Sequence, residues 1–455
     1  MSKPDSKPRK TYRERIPVIN RLNLEMREVI GQSGAAFALR ISGAGMGFVF
    51  SVILARMLGA QGAGIYYLAL SITGIGALIS TVGIPNALLR FIAVHATHGE
   101  WDKVADVYRQ GVRISTAAAV ACSVLLVGLA PWLSASVFGD PALAGPLRIM
   151  ALAILPMTLI TLHGMALKSL KRVLTGTFLE GFGISLFSLP LLVVLARFMG
   201  VEGAVLAYAL AALIVFLVGV HFWRRATPHL KGLRGSFETR LLLVTSLPML
   251  WIGAMDVVVQ QSGILLLGVW ASTEEVGIYG AAARLVIVLT FVFTTVKSVV
   301  SPRFAELYAR GDERDIGALA RETSWLLVLF SLPIVVPLIV VPGWVLSLFG
   351  PGFAAGGTAL AIFAVGHFMR TVLSPSSFLL MMTGHEKLLR NTVVACGALN
   401  IVLSVVLIPR YGMVGAAAST SFTFSLMGII ATVLVRWKLS ILALPIPRWL
   451  YSRED

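Results

Sequence analysis

The chain has 455 residues, of which 57% are hydrophobic and 13% charged, and its mean hydropathy is +0.85. This is more apolar surface than a water-soluble fold can bury, so the composition excludes a soluble globular protein and predicts one that crosses a membrane many times. The formal net charge is +16, but the sequence contains no polar domain on which the basic residues could form one binding face. This excludes a nucleic-acid-binding module.

Residues 1–32 form a polar, basic N-terminal tail. Eight of the first thirty residues are Lys or Arg, and this stretch has no apolar core of the kind found in a cleaved signal sequence. Residues 12–30 alternate charged and apolar side chains, so they form either an amphipathic helix on the membrane surface or a solvated tail. Insertion is expected to begin with the first apolar helix that follows.

Twelve apolar segments follow, each long enough for a hydrocarbon core that requires about 20 residues per helix. They are expected near residues 33–57, 64–89, 114–138, 146–167, 174–196, 203–223, 241–270, 276–300, 324–349, 356–379, 391–408 and 414–435. The fourth and tenth are the weakest, because His163, His367 and Arg370 interrupt them. The predicted fold class is an all-α polytopic membrane protein with about twelve transmembrane helices.

The basic residues predict the orientation of these helices. Most of the 38 Lys and Arg fall in the terminal segments and in every second loop, whereas the alternate loops contain only Arg197 and Arg410. Because basic loops of membrane proteins stay on the cytoplasmic side, both termini are expected in the cytoplasm. The net charge therefore reflects membrane topology.

Landmarks in the first half of the chain return about 213 residues later. Gly-Ile-Tyr at 64–66 recurs at 277–279, Arg-Phe at 90–91 recurs at 303–304, and Gly-x-x-Gly at 200–203 recurs at 412–415. A fixed period indicates a duplicated unit. We predict two pseudo-symmetric six-helix bundles of equal orientation, at 33–223 and 241–436, joined by a linker at 224–240 and followed by a tail at 437–455. Transporters with such repeats bind substrate between the halves.

Basic residues inside the predicted helices are candidates for function, because a charge at the bilayer centre costs at least about 2.5 kcal/mol. We predict that Arg40, Arg284 and Arg370 line a cationic cleft for an anionic substrate, since the planar guanidinium binds two phosphate oxygens at once. The alternatives are snorkelling for Arg40 and a structural pairing with Asp256 for Arg284. A structural role is equally open for Arg370.

The acidic candidates are Asp256 and Glu180. Asp256 lies in the middle of the seventh predicted helix, one turn before Gln260. It is either a proton or sodium coupling site or a salt-bridge partner that stabilises one conformation. For Glu180, structural pairing or snorkelling competes with ion coupling. No metal or other cofactor is expected: the seven histidines lack metal-ligand spacing, and Cys122 and Cys396 lie in apolar runs as packing residues.

Several motifs resemble one family of membrane transporters. They are LARMLG at 54–59, GIYYLA at 64–69, RFIA at 90–93, EEVGIYGAAA at 274–283 and PRF at 302–304. These runs are similar to the polysaccharide flippase branch of the MATE-like superfamily. That branch includes the bacterial O-antigen and exopolysaccharide repeat-unit flippases, and the resemblance extends over the whole chain and its helix count.

The resemblance implies a protein of the bacterial inner membrane that moves a polyprenyl-pyrophosphate-linked oligosaccharide by alternating access, for cell-surface polysaccharide biosynthesis. Its expected partners are that lipid-linked glycan, membrane lipids and other polysaccharide assembly proteins, with no nucleic acid.

Two other functions remain open. One is an ion-coupled drug or small-molecule antiporter on the same scaffold, although residues 33–89 lack the acidic-Thr-x-x-x-Gln pattern that drug exporters often carry. The other is a membrane-embedded glycan polymerase, whose chemistry requires carboxylates, His or Arg clustered at an interface. The short alternate loops contain only scattered acids, so the sequence predicts a transporter rather than an enzyme.

Overall fold

The computed structural model describes residues 16–439 apart from 231, 234, 311 and 312, together with residues 441 and 444. The side chains of residues 16–34, and of several further residues within helices, lie outside this description. Asp256 is one of them. Residues 1–15 and 445–455 are outside it too, so much of both predicted tails falls on residues that the structure does not describe.

The described residues form helices and no strands. The α-helices are α1 (Ile16–Ser80), α2 (Ile84–Thr97), α3 (Trp101–Trp132), α4 (Ala144–Ala151), α5 (Ile154–Ser169), α6 (Val173–Thr177), α7 (Gly183–Ala226), α8 (Thr239–Trp270), α9 (Thr273–Arg310), α10 (Glu313–Val340), α11 (Pro342–Ser347), α12 (Gly357–Val372), α13 (Ser374–Met382) and α14 (Glu386–Leu439). Two π-helices (Leu133–Val137 and Phe178–Phe182) and three 3-10 helices (Pro141–Leu143, Pro228–Leu230 and Pro351–Gly356) join them. Helix is the expected choice in lipid, because each backbone N–H and C=O must be paired within its own segment.

Three of the longest helices are each broken at a single glycine. Gly59 in α1, Gly200 in α7 and Gly412 in α14 have φ values of 68°, 56° and 53°, a left-handed conformation that favours glycine. At Gly203 an added Cβ would lie 2.1 Å from the carbonyl oxygen of Leu195. Along a straight helix these residues would be about 12 Å apart. The chain therefore reverses, and α7 is two spans joined by a tight turn.

The multi-pass, all-α fold class is confirmed. Among the described residues, seven helices are long and apolar enough to cross a membrane, and the bent pair α4 and α5 makes up to eight. Within the described part of the chain, dividing α1, α7 and α14 at their glycines and counting α8 once yields twelve spans. The connections differ from the prediction, since the gaps expected at 58–63, 197–202 and 409–413 shrink to one glycine each. Similarly, α1 begins at Ile16, so residues 16–32 of the predicted tail are helical and continue into the first span.

The connections lie at two ends of the molecule. We call one the basic end; it contains the connections α2–α3, α5–α6, α7–α8, α9–α10 and α13–α14. The other, the glycine end, contains the breaks at Gly59, Gly200 and Gly412 and the connections α3–α4, α8–α9 and α10–α12. Neither name refers to a side of the membrane.

The buried apolar residues that the structure describes form three clusters. The largest lies at the glycine end and combines residues from before and after the linker, such as Tyr66 and Phe349. A second cluster, around Leu162, lies at the basic end of the first half together with Leu242 of α8. A third, around Phe304, lies at the basic end of the second half. The two halves thus share a core at the glycine end, whereas at the basic end they have distinct clusters, with Leu242 of α8 packed into that of the first half.

The segment between α7 and α8 packs on α3. The Asp106 carboxylate accepts a hydrogen bond from the backbone N–H of Phe237 (2.7 Å), and Gln110 donates to the Phe237 carbonyl (2.7 Å). Arg109 donates to the carbonyl of Leu233. This connection is therefore held on the first half and does not run freely between the halves.

Glu275 distinguishes the two repeats. Its carboxylate, near the start of α9, accepts a hydrogen bond from the N–H of Met413 (2.9 Å), the residue after the break in α14. The equivalent position in the first half is Gly62, which packs against Val201 without a side chain. The second repeat therefore has a charged hydrogen bond at a position where the first has a glycine packed against the side chains of Leu58 and Val201.

We expect Glu275→Ala to lower the free energy of unfolding by about 1–3 kcal/mol, because the N–H of Met413 loses a charged acceptor. Glu274→Ala is the matched control: this neighbouring acid is exposed, and its removal should change stability by no more than about 0.5 kcal/mol. Thermal unfolding of the purified protein measures both. Equal shifts for the two variants would refute the role assigned to Glu275.

Candidate functional site

Helices α1 and α9 cross with almost no space between their backbones. An added Cβ at Gly64 would lie 1.7 Å from the carbonyl oxygen of Thr273, and one at Gly277 would lie 1.9 Å from that of Ala60. These two contacts are equivalent under the 213-residue repeat, so the crossing relates one half to the other by pseudo-symmetry. Only glycine permits so close an approach of two helices. The crossing also sets the position of Arg284, two turns further along α9.

A cavity of about 950 Å³ lies between the two halves beside this crossing. Its walls are α1, the second π-helix and α7 from the first half, and α9 and α10 from the second. The polar lining residues are Arg40, Glu180, Ser185 and Arg284, and the others are glycine or apolar. Along α9 the lining runs from Arg284 to Val296, toward the basic end. Its volume is typical of a small-molecule or cofactor site.

Two guanidinium groups from opposite halves line this cavity. Arg40 is exposed on the α1 side, and Arg284 on the α9 side is half-buried, with Cζ 5.8 Å from the centre of the Tyr67 ring. A cation in hydrocarbon is unfavourable, whereas a cation that lines an open cavity keeps access to water or to an anionic ligand. The arrangement can therefore bind an anion between the halves.

Glu180 is paired with a lysine. Its carboxylate forms an ion pair with Lys168 at the end of α5. The second π-helix brings the side chain close to α5, where an added Cβ at Gly164 would lie 2.6 Å from Oε1 of Glu180. This geometry corresponds to the structural-pairing alternative for Glu180. The ion pair also leaves the positive charge of the cavity to Arg40 and Arg284 among the described lining residues.

Arg284 also lines a second space, a chamber of about 320 Å³ formed by α1, α8, α9, α12 and α14. Arg370 lies there with its Cζ 4.2 Å from the centre of the Phe424 ring, and His367 packs edge-on against the same ring at 5.1 Å. Gln261 adds an amide to the lining and accepts a hydrogen bond from Ser71 in α1 (3.2 Å). Ring faces, amides and guanidinium groups together can orient a polar ligand.

The structure thus brings Arg40 and Arg284 together in the cavity, and Arg284 and Arg370 in the chamber. Their predicted role in binding stays a prediction. Asp256 lies in α8, and its side chain is outside the described residues. Glu180 lines the cavity, but its coupling role also stays a prediction.

Sequence reasoning missed Tyr67, which lines the chamber. An added Cβ at Gly280 would lie 2.3 Å from the Tyr67 ring, so the ring occupies the space that Gly280 leaves. Positions 67 and 280 are equivalent in the repeat. A tyrosine in one copy opposite a glycine in the other was the available signal, because a large residue and a small one at symmetry-related positions can pack against each other across the axis.

Hydrogen bonds join the halves at the glycine end. Arg56 donates from Nε to the carbonyl of Leu348 (2.8 Å), and the Thr273 hydroxyl donates to the Asp140 carboxylate (3.0 Å). Together with the shared apolar core, these bonds close the glycine end. The described lining of the cavity along α9 runs from Arg284 toward the basic end, away from this closure.

Comparisons with known proteins agree with this architecture. A match over most of the chain is to the probable low-salt glycan biosynthesis flippase Agl15 of Haloferax volcanii, which is 22% identical over 405 residues, covering 86% of this chain and 79% of the relative. Among solved structures, an inward-facing multidrug resistance MATE family transporter of the MOP superfamily superimposes with a TM-score of 0.70 at 13% identity, covering 86% of this chain and 94% of that one. The lipid II flippase MurJ, in an inward closed conformation, superimposes with a TM-score of 0.68 at 15% identity, covering 90% and 87%.

These proteins are named as flippases and transporters, in agreement with the expectation that the chain is not an enzyme. The MatE family model matches residues 248–406, and the model of the family described as polysaccharide biosynthesis protein matches residues 33–308. The resemblance found in the sequence motifs is thereby confirmed. Since that match covers more than half of its length, the chain belongs to the polysaccharide biosynthesis protein family, within the MATE-like superfamily.

Proposed function

We propose that this protein moves a lipid-linked oligosaccharide from one leaflet of a membrane to the other. The observation that carries the proposal is the cavity between the halves, in which Arg40 and Arg284 provide cationic groups on facing walls. The name of the Agl15 relative, a probable glycan biosynthesis flippase, supports a cargo of this kind. Membership of the polysaccharide biosynthesis protein family supports it too.

We infer that the anionic part of the cargo is a pyrophosphate between the glycan and a polyprenyl chain. Each guanidinium can bind two phosphate oxygens, so Arg40 and Arg284 each provide a position in the cavity at which a phosphate can bind. The glycan would cross within the cavity and the adjoining chamber, near Arg370, while the prenyl chain stays in lipid. In this proposal the membrane is the bacterial inner membrane, both termini are cytoplasmic, and the glycan serves O-antigen or exopolysaccharide synthesis.

The proposed transport cycle is alternating access between the two halves. The shared core at the glycine end and the distinct apolar clusters at the basic end support a state open toward the basic end, which is inward-facing if that end is cytoplasmic. Cargo would shift the balance through its different affinity for the two states. Asp256 and Glu180 are proposed for proton or sodium coupling, and Glu180 would first have to release Lys168.

In this cycle Arg56 stabilises closure of the glycine end, and we expect Arg56→Gln to raise the open fraction there by up to about tenfold. The expectation follows from the loss of one charged hydrogen bond across the halves, worth about 1.5 kcal/mol. The measurement is the rate at which a membrane-impermeant maleimide, added at the glycine end, labels Ser185→Cys in a background with Cys122 and Cys396 replaced.

Arg148→Gln is the control for this prediction, because Arg148 is exposed at the same end, in α4. It should leave the labelling rate unchanged. Labelling that is accelerated equally by both variants would show that surface charge, rather than the bond to Leu348, sets the rate.

Reconstitution tests the proposed cargo. Proteoliposomes are prepared with an undecaprenyl-pyrophosphate-linked oligosaccharide in the outer leaflet. As the protein moves the oligosaccharide to the inner leaflet, the amount of glycan that an external lectin can bind is expected to fall. The double variant Arg40→Ala and Arg284→Ala should slow this loss by at least about 100-fold, since two charged contacts are removed. Wild-type protein that leaves the glycan outside would overturn the proposal.

A second function, ion-coupled export of drugs or other small molecules, is favoured by the MatE match and by the likeness to a multidrug MATE structure. The same proteoliposomes, loaded with a fluorescent organic cation and given a proton or sodium gradient, test it. Gradient-driven dye movement without glycan movement would replace the flippase proposal. A cationic cavity wall disfavours a cationic cargo, so we expect the opposite result.

A further inference from the structure

A third cavity, of about 480 Å³, lies inside the first half at the basic end. It is enclosed by α3, α5, α7 and the 3-10 helix Pro228–Leu230. Within the described residues it shares no lining residue with the central cavity or with the chamber. The proposed flippase function does not use this cavity, so binding of a ligand there can be tested separately from transport.

The inner part of this cavity is apolar. Val112 of α3, Leu159 of α5 and Phe216 of α7 lie furthest from the basic end. Two polar side chains between them and the mouth satisfy each other: His163 Nδ1 must donate to the Leu159 carbonyl (2.6 Å), so its Nε2 accepts the hydroxyl proton of Tyr108 (2.9 Å). The Tyr108 proton is therefore already used, and the inner wall is suited to a hydrocarbon chain.

The outer part of the cavity is aromatic and cationic. Trp223 stacks on Tyr108 with ring centres 4.1 Å apart and an angle of 21°. Arg224 follows directly and is exposed, whereas Arg109 is half-buried with its guanidinium bonded to the carbonyls of Ala105 and Leu233. Arg224 is thus the cation positioned to meet a ligand at the mouth, and Arg109 adds positive charge beside it.

We propose that this cavity binds one anionic phospholipid, with its phosphate at Arg224 and one acyl chain along Phe216. Basic pockets between transmembrane helices are known to receive anionic lipid headgroups. From Phe216 to Arg224 the helix rises about 12 Å, most of one leaflet of a hydrocarbon core about 30 Å thick. Charge at the mouth and an apolar interior of leaflet depth are the two complementary features of an anionic phospholipid.

Trp223 provides a built-in probe for the test. The full-length protein in detergent micelles is titrated with phosphatidylglycerol carrying brominated acyl chains, which quench tryptophan at contact. Because the chain has nine tryptophans, the signal from the cavity is the difference between wild type and Trp223→Phe. We expect wild type to be quenched more than Trp223→Phe. We expect this extra quenching to be half complete at a phosphatidylglycerol concentration about fivefold lower than for brominated phosphatidylcholine, because one basic contact contributes about 1 kcal/mol.

Two arginine variants separate specific binding from general attraction. Arg224→Gln should abolish the preference for phosphatidylglycerol, whereas Arg225→Gln should retain it, because Arg225 is also exposed but does not line the cavity. Equal quenching by both lipids, or an equal loss of preference in both variants, would overturn the proposal. Relief of quenching by soluble glycerol phosphate at similar concentration would also overturn it, in favour of a site for free phosphate esters.

A second measurement covers the case in which Trp223→Phe disturbs folding, as reported by its thermal unfolding. Native mass spectrometry counts the phosphatidylglycerol molecules retained by wild type and by the two arginine variants. The count is expected to fall by one in Arg224→Gln alone. No difference between Arg224→Gln and Arg225→Gln would contradict the site.

Discussion

Gly64→Ala is expected to destabilise the protein by at least about 3 kcal/mol, the upper end of typical overpacking effects. The added methyl would lie 1.7 Å from the carbonyl oxygen of Thr273, a backbone atom that no rotamer change can move. Relief requires that α1 and α9 separate along their whole crossing. Thermal unfolding and the yield of folded protein from membranes measure the effect, and Gly277→Ala should reproduce it.

The control for this prediction lies on the same helix. Gly74 has nothing within 4 Å of the position where a Cβ would be added. Gly74→Ala should leave stability unchanged or raise it by up to about 1 kcal/mol, because alanine favours helix more than glycine does. If the two variants unfold at the same temperature, the crossing is looser than the contact at Thr273 requires.

Arg284→Gln is expected to reduce transport of a lipid-linked oligosaccharide by about 10- to 100-fold, as the loss of a charged contact of roughly 1.5–3 kcal/mol predicts. A large effect is expected at Arg284 because this residue lines both the cavity and the chamber. Arg284→Lys should fall between glutamine and wild type, since lysine keeps the charge but cannot form two parallel hydrogen bonds. The lectin-accessibility assay in proteoliposomes measures all three.

Lys297 provides a matched control on the same helix. Its Nζ lies 5.7 Å from the centre of the Phe378 ring, and it lines neither space. Lys297→Gln removes the same charge and should transport near the wild-type rate. Equal losses at the two positions would mean that the charge of α9 as a whole, and not the position of Arg284, governs transport.

The fold could be predicted from the sequence to a large extent, because helical spans in lipid are set by local properties. Apolar length located the spans, and the repeat of Gly-Ile-Tyr identified the duplication. The connections were less predictable: a glycine such as Gly200 reverses the chain alone, where the sequence suggested a loop of six residues. Positive φ at one residue leaves no composition change that a reading of hydropathy could detect.

The candidate site was predictable as a set of residues but not as an arrangement. The cost of placing charge in lipid singled out Arg40, Arg284 and Arg370. That Arg284 would line two spaces depends on how α1 and α9 cross, which is a tertiary property. The pairing of Glu180 with Lys168 is easier to predict from the sequence, because both residues lie near the short connection between α5 and α6. The third cavity, around Trp223, could not be predicted from the sequence, because its lining comes from three spans that are distant in sequence.

The pairing of Glu180 with Lys168 has an electrostatic consequence for the resting protein. With that acid neutralised by its lysine, the described lining of the cavity between the halves carries an uncompensated double positive charge from Arg40 and Arg284. Mobile anions attracted by that charge would be displaced when the anionic cargo proposed above enters. Loading is then an exchange of ions, favoured by the entropy of those released and weakened as ionic strength rises.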